Sequence, residues 1–277
     1  MEYRTLGRTG WRVAEIACGT YRTFDLVGAP GREAVARLMR ANLAAGANLF
    51  DSAPMYGHSE TNIGHAMAGL AGVETPGGEP FFIATKVLQR DVEGARKQIE
   101  NSFSVIGGRI DLLQIHNMAG WERVLPHLAE LQAAGRIRAT GVTHYQATSL
   151  EEMEKAIKTG LVDVIQLPYN LMERQAERRV LPLAREMGLG VLVMTPIQPI
   201  FRREALLSAL AGVDLRDFRP YGVSDAGSLC LKYLLSKDPQ VVLLPATSRP
   251  GRVAANAAVS GTPPLPADMI ERLEAAL

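Results

Sequence analysis

The chain sets out eight short β-rich runs, each followed by a stretch with helical spacing. The runs are "VAEIACG" (13–19), "ANLFD" (47–51), "FFIATKV" (81–87), "IDLLQIH" (110–116), "IRATGVT" (137–143), "DVIQLP" (163–168), "VLVMT" (191–195) and "VVLLP" (241–245). Segments between them, such as "REAVARLMRANLAAG" and "GARKQIENSFSVIG", repeat apolar residues every three or four positions and end near Gly, which predicts amphipathic helices. Strand–helix alternation requires a parallel sheet, because parallel neighbours need a crossover and a helix is the usual one. Eight such units, with no composition shift marking a linker, predict one α/β domain over residues 1–277, a closed (β/α)8 TIM barrel. A doubly wound sheet is the alternative. It usually carries a Gly-rich fingerprint after its first strand, and "CGTYRTFDLVGAP" contains no GxGxxG.

Two features fall outside the repeat. "EYRTLGRTGWRV" reads as a small hairpin turning at "RTG", with Leu6 and Trp11 able to plug one end of a barrel. After the seventh run, residues 196–222 pass before the next convincing helix, where α/β loops usually take about 2–6 residues. Loops leaving the C-terminal ends of barrel strands build active sites, so a long one there reads as functional.

Composition excludes several classes. A net charge of +1 with scattered basic residues gives no pull toward nucleic acid or an anionic membrane. Cys18 and Cys230 stand far apart without a CxxC, so neither a disulfide framework nor a metal site is expected. "MEYRTLGRTG" has no apolar signal region, and no run approaches the roughly 18–20 apolar residues of a membrane span. The expectation is a cytoplasmic globular protein.

Polar residues at the C-terminal ends of barrel strands are candidates for chemistry. Asp51 closes the second run, Tyr56 lies in the loop after it, Lys86 stands near the end of the third, and His116 closes the fourth. Singly, each has a plain explanation: a turn or cap carboxylate, packing aromatics, a lysine reaching for water. Together they suit protonation of a carbonyl oxygen. A phenol, with an ordinary pKa of about 10, keeps its proton at neutral pH and can give it to a developing alkoxide. A nearby ammonium would lower that pKa, and Asp51 would balance the ammonium. His116 would hold the substrate oxygen. The hydride must come from a cofactor.

The motifs "LGRTG", "CGTY", "FDSAPMYGHSE", "ATKV", "DLLQIH", "GVTHY", "IQLPYN" and "LLPATSRPGRVAAN", in that order along almost the whole chain, resemble those of the aldo-keto reductases. The resemblance implies a barrel that binds a nicotinamide dinucleotide, usually NADPH, without a Rossmann fold. It places a catalytic tetrad on Asp51, Tyr56, Lys86 and His116. By the same resemblance Thr247, Ser248 and Arg252 hold the adenosine 2′-phosphate, with Arg249 nearby and Asn256 at the adenine. A helix start near Pro250 would favour that phosphate, though it also reads as an ordinary solvated helix end. Many relatives carry a Lys before the hydroxyl residue where this chain has Ala246, so NADH use is a second possibility. At the nicotinamide end the resemblance points to Gly19, Thr20, Thr143 and Gln166. His144 replaces an amide there. Met194 stands where relatives place a stacking aromatic, or else is core filler, and Thr195, Pro196 and Ile197 lead into the loop over the pyrophosphate.

Tyr21, Phe24, Met55, Asn117 and Trp121 follow strand ends and are expected to wall a substrate pocket, unless they pack their own loops. The segment after Asn256 reads as a Pro-rich turn and a last helix, Ala267–Leu277, which suggests an open pocket shaped by the loop after the seventh strand. The expected function is NAD(P)H-dependent reduction of an aldehyde, ketone or sugar, without metal, nucleic acid or membrane. The alternatives are a sugar or alcohol dehydrogenase running oxidatively, a nucleotide-binding regulatory subunit with little turnover, and a lyase or isomerase using Lys86 as a Schiff base.

Overall fold

A computed structural model describes residues 1–70, 72–197 and 203–276. All eight runs form strands: β3 (Cys18–Gly19), β4 (Leu49–Asp51), β5 (Phe82–Val87), β6 (Leu112–His116), β7 (Ala139–Thr143), β8 (Val164–Pro168), β9 (Gly190–Met194) and β10 (Val241–Leu243). β1 (Tyr3–Thr5) and β2 (Arg12–Ala14) precede them as an antiparallel hairpin. The eight later strands lie parallel and in sequence order in one sheet. Isolated parallel bridges, Ile16↔Leu243 and Gly19↔Ala246, bring its first and last strands together. Ala17 N donates to Leu243 O (2.8 Å) and Gly19 N to Pro245 O (3.1 Å) across that seam. The result is the (β/α)8 barrel expected of the alternation.

The helices between strands are α1 (Gly28–Ala44), α2 (Ser59–Ala68), α3 (Val92–Ile106), α4 (Trp121–Ala133), α5 (Leu150–Ile157) and α6 (Val180–Glu186). α7 (Arg203–Ala209) and α8 (Ala226–Lys237) follow β9, and α9 (Pro250–Ala257) and α10 (Ala267–Ala275) follow β10. None of the described helices is long and apolar enough to cross a membrane.

Two expectations need adjustment. The run 13–19 is not one strand. Glu15 divides it: its N–H donates to Glu2 O in the hairpin (3.1 Å), while its carbonyl accepts from Leu243 N in the barrel (2.9 Å). The segment after β9 is largely helical, with α7 and 3-10 turns at Leu210–Gly212 and Leu215–Tyr221; residues 198–202 of that loop lie outside the described residues.

Strand side chains alternate between two cores. Val13, Leu49, Phe82, Leu112, Ala139, Val164, Leu192 and Val242 fill the barrel interior, whereas their neighbours Phe50, Ile83, Leu113, Val142, Ile165, Val191 and Leu243 pack outward among the helices. Leu6 and Trp11 join the interior cluster and close its lower end, as the hairpin pattern predicts. Trp11 stacks on Phe82 with ring centroids 4.6 Å apart, and Arg138 covers the Trp11 ring at 4.9 Å. Gly7, at φ +48°, lets the turn press on β9: a Cβ there would meet Gly190 N at 2.1 Å.

Candidate active site

The inward parity of each strand decides what reaches the upper end of the barrel. On β4 the inward residues are Leu49 and then Asp51, on β5 Ala84 and then Lys86, and on β6 Leu112, Gln114 and His116, judging from the interior members of each strand and the two-residue period. Asp51 (3% exposed) and Lys86 (1% exposed) are buried. Lys86 Nζ donates to Asp51 Oδ2 and to Ser52 O, both at 2.7 Å. Gln166 Nε2 donates to the same Oδ2 (2.9 Å), and Gln114 Nε2 to Oδ1 (3.1 Å). The Asp51 backbone carbonyl accepts from both the N–H and the hydroxyl of Thr20. The carboxylate that closes β4 thus meets donors from β5, β6 and β8.

A turn after β4 carries Tyr56. Tyr56 N donates to Ala53 O (3.0 Å) and Ser59 N to Tyr56 O (3.1 Å). Gly57, at φ +58°, follows, and a Cβ there would strike the Asp25 carboxylate, whose Oδ1 accepts from His58 N (2.9 Å). Ser59 begins α2 and its hydroxyl bonds the hydroxyls of Thr20 and Ser52, fixing the loop from below. The Tyr56 ring lies 5.2 Å from Lys86 Nζ and meets His116 edge-on at 6.1 Å. Asp51, Tyr56, Lys86 and His116 therefore share one constellation.

The electrostatics of the four differ from the sequence expectation at one point. Burial pushes the Tyr56 phenol above its ordinary value, and Lys86 only partly counters it. Burial pulls Lys86 down, but Asp51 and Tyr56 outweigh it, so the ammonium is held. Burial and then the Lys86 charge lower His116 to about 3, leaving it a neutral imidazole at physiological pH. Tyr56 is thus a firmly protonated phenol beside a cation rather than one poised to ionise.

The model of the aldo/keto reductase family matches residues 15–210, well over half of the chain. The chain belongs to the aldo/keto reductase family. It is 31% identical over 208 residues to the aldo-keto reductase YhdN of Bacillus subtilis, a match spanning 70% of this chain and 61% of that protein. It is 30% identical over 203 residues to the NADH-specific methylglyoxal reductase of Escherichia coli, spanning 64% and 58% respectively. Its fold superposes on an aldo/keto reductase from Klebsiella pneumoniae, solved with NADP and acetate, at a TM-score of 0.82 and 20% identity, covering 99% of this chain and 95% of the other.

In this aldo/keto reductase several further predicted residues gather at the same strand ends. Buried side-chain atoms without a hydrogen-bond partner among the described residues include Thr143 Oγ1, Gln166 Oε1 and Thr195 Oγ1. Gly19 lies against the segment just after β10, leaving no room for a Cβ, which would fall 2.8 Å from Leu244 O. Met194 is half-buried and inward on β9; Thr195 follows at φ +52°, a strained value for a β-branched residue, and then come buried Pro196 and half-buried Ile197. His144 stacks on Tyr145 (5.3 Å) and its Nδ1 accepts from Gln146 N, so that nitrogen is already engaged. At α9, Thr247 Oγ1 accepts from Arg249 N (3.2 Å), Ser248 and Arg249 are exposed, and Asn256 is buried. Arg252 donates to Asp225 Oδ2 at 3.3 Å.

Among the expected pocket residues, Tyr21 and Met55 are exposed at the mouth, with Tyr21 5.0 Å from Tyr56, and Asn117 is half-buried at φ +54°. Two do not line it. Phe24 is fully buried in the outer core. Trp121 is buried at the start of α4, its indole N–H donating to Glu152 (3.0 Å). Trp121 thus ties α4 to α5 and Phe24 belongs to the core, the plainer of the two readings of an aromatic after a strand end. Gln114 went unpredicted, although counting two residues back from His116 along β6 reaches it.

Proposed function

We propose that this chain is a cytoplasmic NAD(P)H-dependent oxidoreductase that reversibly reduces an aldehyde or ketone to an alcohol, with residues 1–277 forming one catalytic domain. The observation that carries the reading is the buried Asp51–Lys86 pair, 2.7 Å long, set beside the Tyr56 phenol and a neutral His116 at the barrel mouth. The unpaired donors and acceptors on Thr143, Gln166 and Thr195 fit a carboxamide and phosphates better than they fit an apolar ligand. A nicotinamide dinucleotide, when bound, supplies the hydride that no side chain carries.

The chain's own residues do the rest. Neutral His116 has an N–H to direct the carbonyl oxygen and no charge to release. Tyr56 gives its proton to that oxygen as the carbonyl carbon is reduced, and Lys86 stabilises the phenolate left behind. In the oxidative direction the phenolate takes the proton back. Thr247, Ser248, Arg249 and Arg252 would hold the adenosine phosphate at the α9 N-terminus, and Asn256 the adenine. Asp225 already shares the Arg252 guanidinium, and Ala246 offers no cation, so the 2′-phosphate is held less firmly than two free cations would hold it. NADPH remains the preferred cofactor in this reading, with NADH accepted. Tyr21, Met55 and Asn117 are the pocket residues it retains, and the relative named for methylglyoxal points toward small carbonyls.

The test follows loss of reduced nicotinamide with a panel of small aldehydes, ketones and aldoses, NADPH and NADH in parallel. Turnover that disappears in Tyr56→Phe supports the reading. Cofactor binding with no turnover on any carbonyl, or on any alcohol in reverse, would favour a regulatory subunit instead.

A further inference from the structure

Gln114 occupies the inward position of β6 between Leu112 below and His116 above. It is fully buried. Its amide N–H donates to Asp51 Oδ1 (3.1 Å), the one hydrogen bond that this oxygen accepts among the described residues, while Oδ2 receives both Lys86 (2.7 Å) and Gln166 (2.9 Å). The amide cannot be reversed, since its oxygen would then face a carboxylate. Its own Oε1 is left buried without a partner among the described residues, which costs stability. A leucine, such as Leu112 in the layer beneath, would avoid that cost. The fold also makes room for it: a Cβ on Gly141, its register partner on β7, would fall 2.8 Å from Gln114 Cγ.

We propose that Gln114 is a positioning residue of the proton-donor system, holding the Asp51 carboxylate in the orientation that pairs it with Lys86 beside Tyr56. This rests on the reductase reading above. Without the Gln114 donor, Oδ1 is a bare buried anion and the carboxylate turns to share its remaining donors. Lys86 then holds its proton less tightly, and the phenol loses the cation that favours phenolate. The groups facing the phenol are Lys86 on β5, Asp51 on β4, Tyr21 after β3 and His116 on β6; Lys86 in turn acts on Glu60 of α2, and His144 after β7 acts on His116.

The experiment uses the full chain with Gln114→Met, which keeps length and removes the donor, and Gln114→Leu as a second variant of the Leu112 type. The first readout is carbonyl turnover with NADPH: kcat should fall about tenfold while the KM for NADPH changes less than about twofold, the pattern of a loss confined to the reacting end. The second is the ultraviolet titration of the phenol, isolated by subtracting the same variant carrying Tyr56→Phe. Its midpoint should move up by about half a pH unit or more. A midpoint that stays put or moves down overturns the proposal, as does a drop in Tm with kcat and midpoint unmoved, which would make Gln114 merely structural. Wild type that reduces no carbonyl would sink the reductase reading instead, and the phenol titration would still decide the role of Gln114.

Discussion

The two ends of this barrel interior are built by the same alternation of residues and treat polar atoms in opposite ways. At the lower end Leu6 and Trp11 seal a layer of apolar side chains, and the carboxylates around it are saturated. Asp111 accepts from Ile83 N and Arg109, and Asp163 from Thr140 N, Gln132 and Arg8. At the upper end a lysine and an aspartate lie buried, and Gln114 Oε1, His116 Nδ1, Thr143 Oγ1, Gln166 Oε1 and Thr195 Oγ1 have no partner among the described residues. Native interiors leave few polar atoms unpaired, so their concentration at one end fits the proposal that the lower end closes the barrel and the upper end binds. Burial serves stability below and electrostatics above.

Swapping the damage between the ends should show this. Tyr56→Phe removes one oxygen from the upper end; kcat for carbonyl reduction should drop by about a hundred- to ten-thousandfold, with cofactor binding and the denaturation midpoint unchanged. Lost stability in that variant would mean the phenol also holds the fold. Trp11→Ala at the lower end should do the reverse, lowering unfolding free energy by about 3–5 kcal/mol in a denaturant titration while kcat per folded molecule stays put. A large kcat loss there would couple the two ends. At the rim, Arg252→Ala should raise the KM for NADPH about tenfold and that for NADH much less, since a charge-assisted bond is worth about 1.5–3 kcal/mol; equal effects would leave only the Asp225 pair as its role. The last prediction concerns pH. His116 titrates at about 3 when folded and near 6.5 when unfolded, so its neutral form favours the fold fully above about pH 6.5, and that contribution is lost as pH falls toward the folded value. Tm measured from neutral to acid pH should therefore fall less steeply in His116→Gln, whereas kcat of the native protein should show no inflection from this imidazole near pH 6.5.

The barrel is legible because eight short apolar runs alternate with segments of helical spacing, and that alternation survives even where a strand pairs over only two or three residues. Asp51, Lys86 and His116 are legible as a set, because polar residues at or near the ends of three consecutive apolar runs are harder to explain together than singly. Gln114 is hard to single out because it sits inside such a run, "LLQIH", and an uncharged amide does not interrupt it as a charge does; only the inward parity of His116 marks it. Phe24 and Trp121 show the limit of composition: an aromatic after a strand end has the same sequence signature whether it faces a ligand or packs into the core. The direction of the Tyr56 shift depends on how much water the fold removes from the phenol, and spacing along a chain carries no measure of that. The division of 13–19 at Glu15 turns on which partner each backbone group finds, which no local pattern records.

The donors gathered on Asp51 also bear on how this barrel could be altered, by selection or by design. One carboxylate ties together β4, β5, β6 and β8, so a change at any of Lys86, Gln114 or Gln166 redefines what the other two are bonded to. Their effects should be strongly non-additive. The route from this chemistry to another then runs through joint replacements around the hub, while Tyr21 and Met55, exposed on the mouth and outside that knot, are free to vary one at a time and retune what the pocket admits.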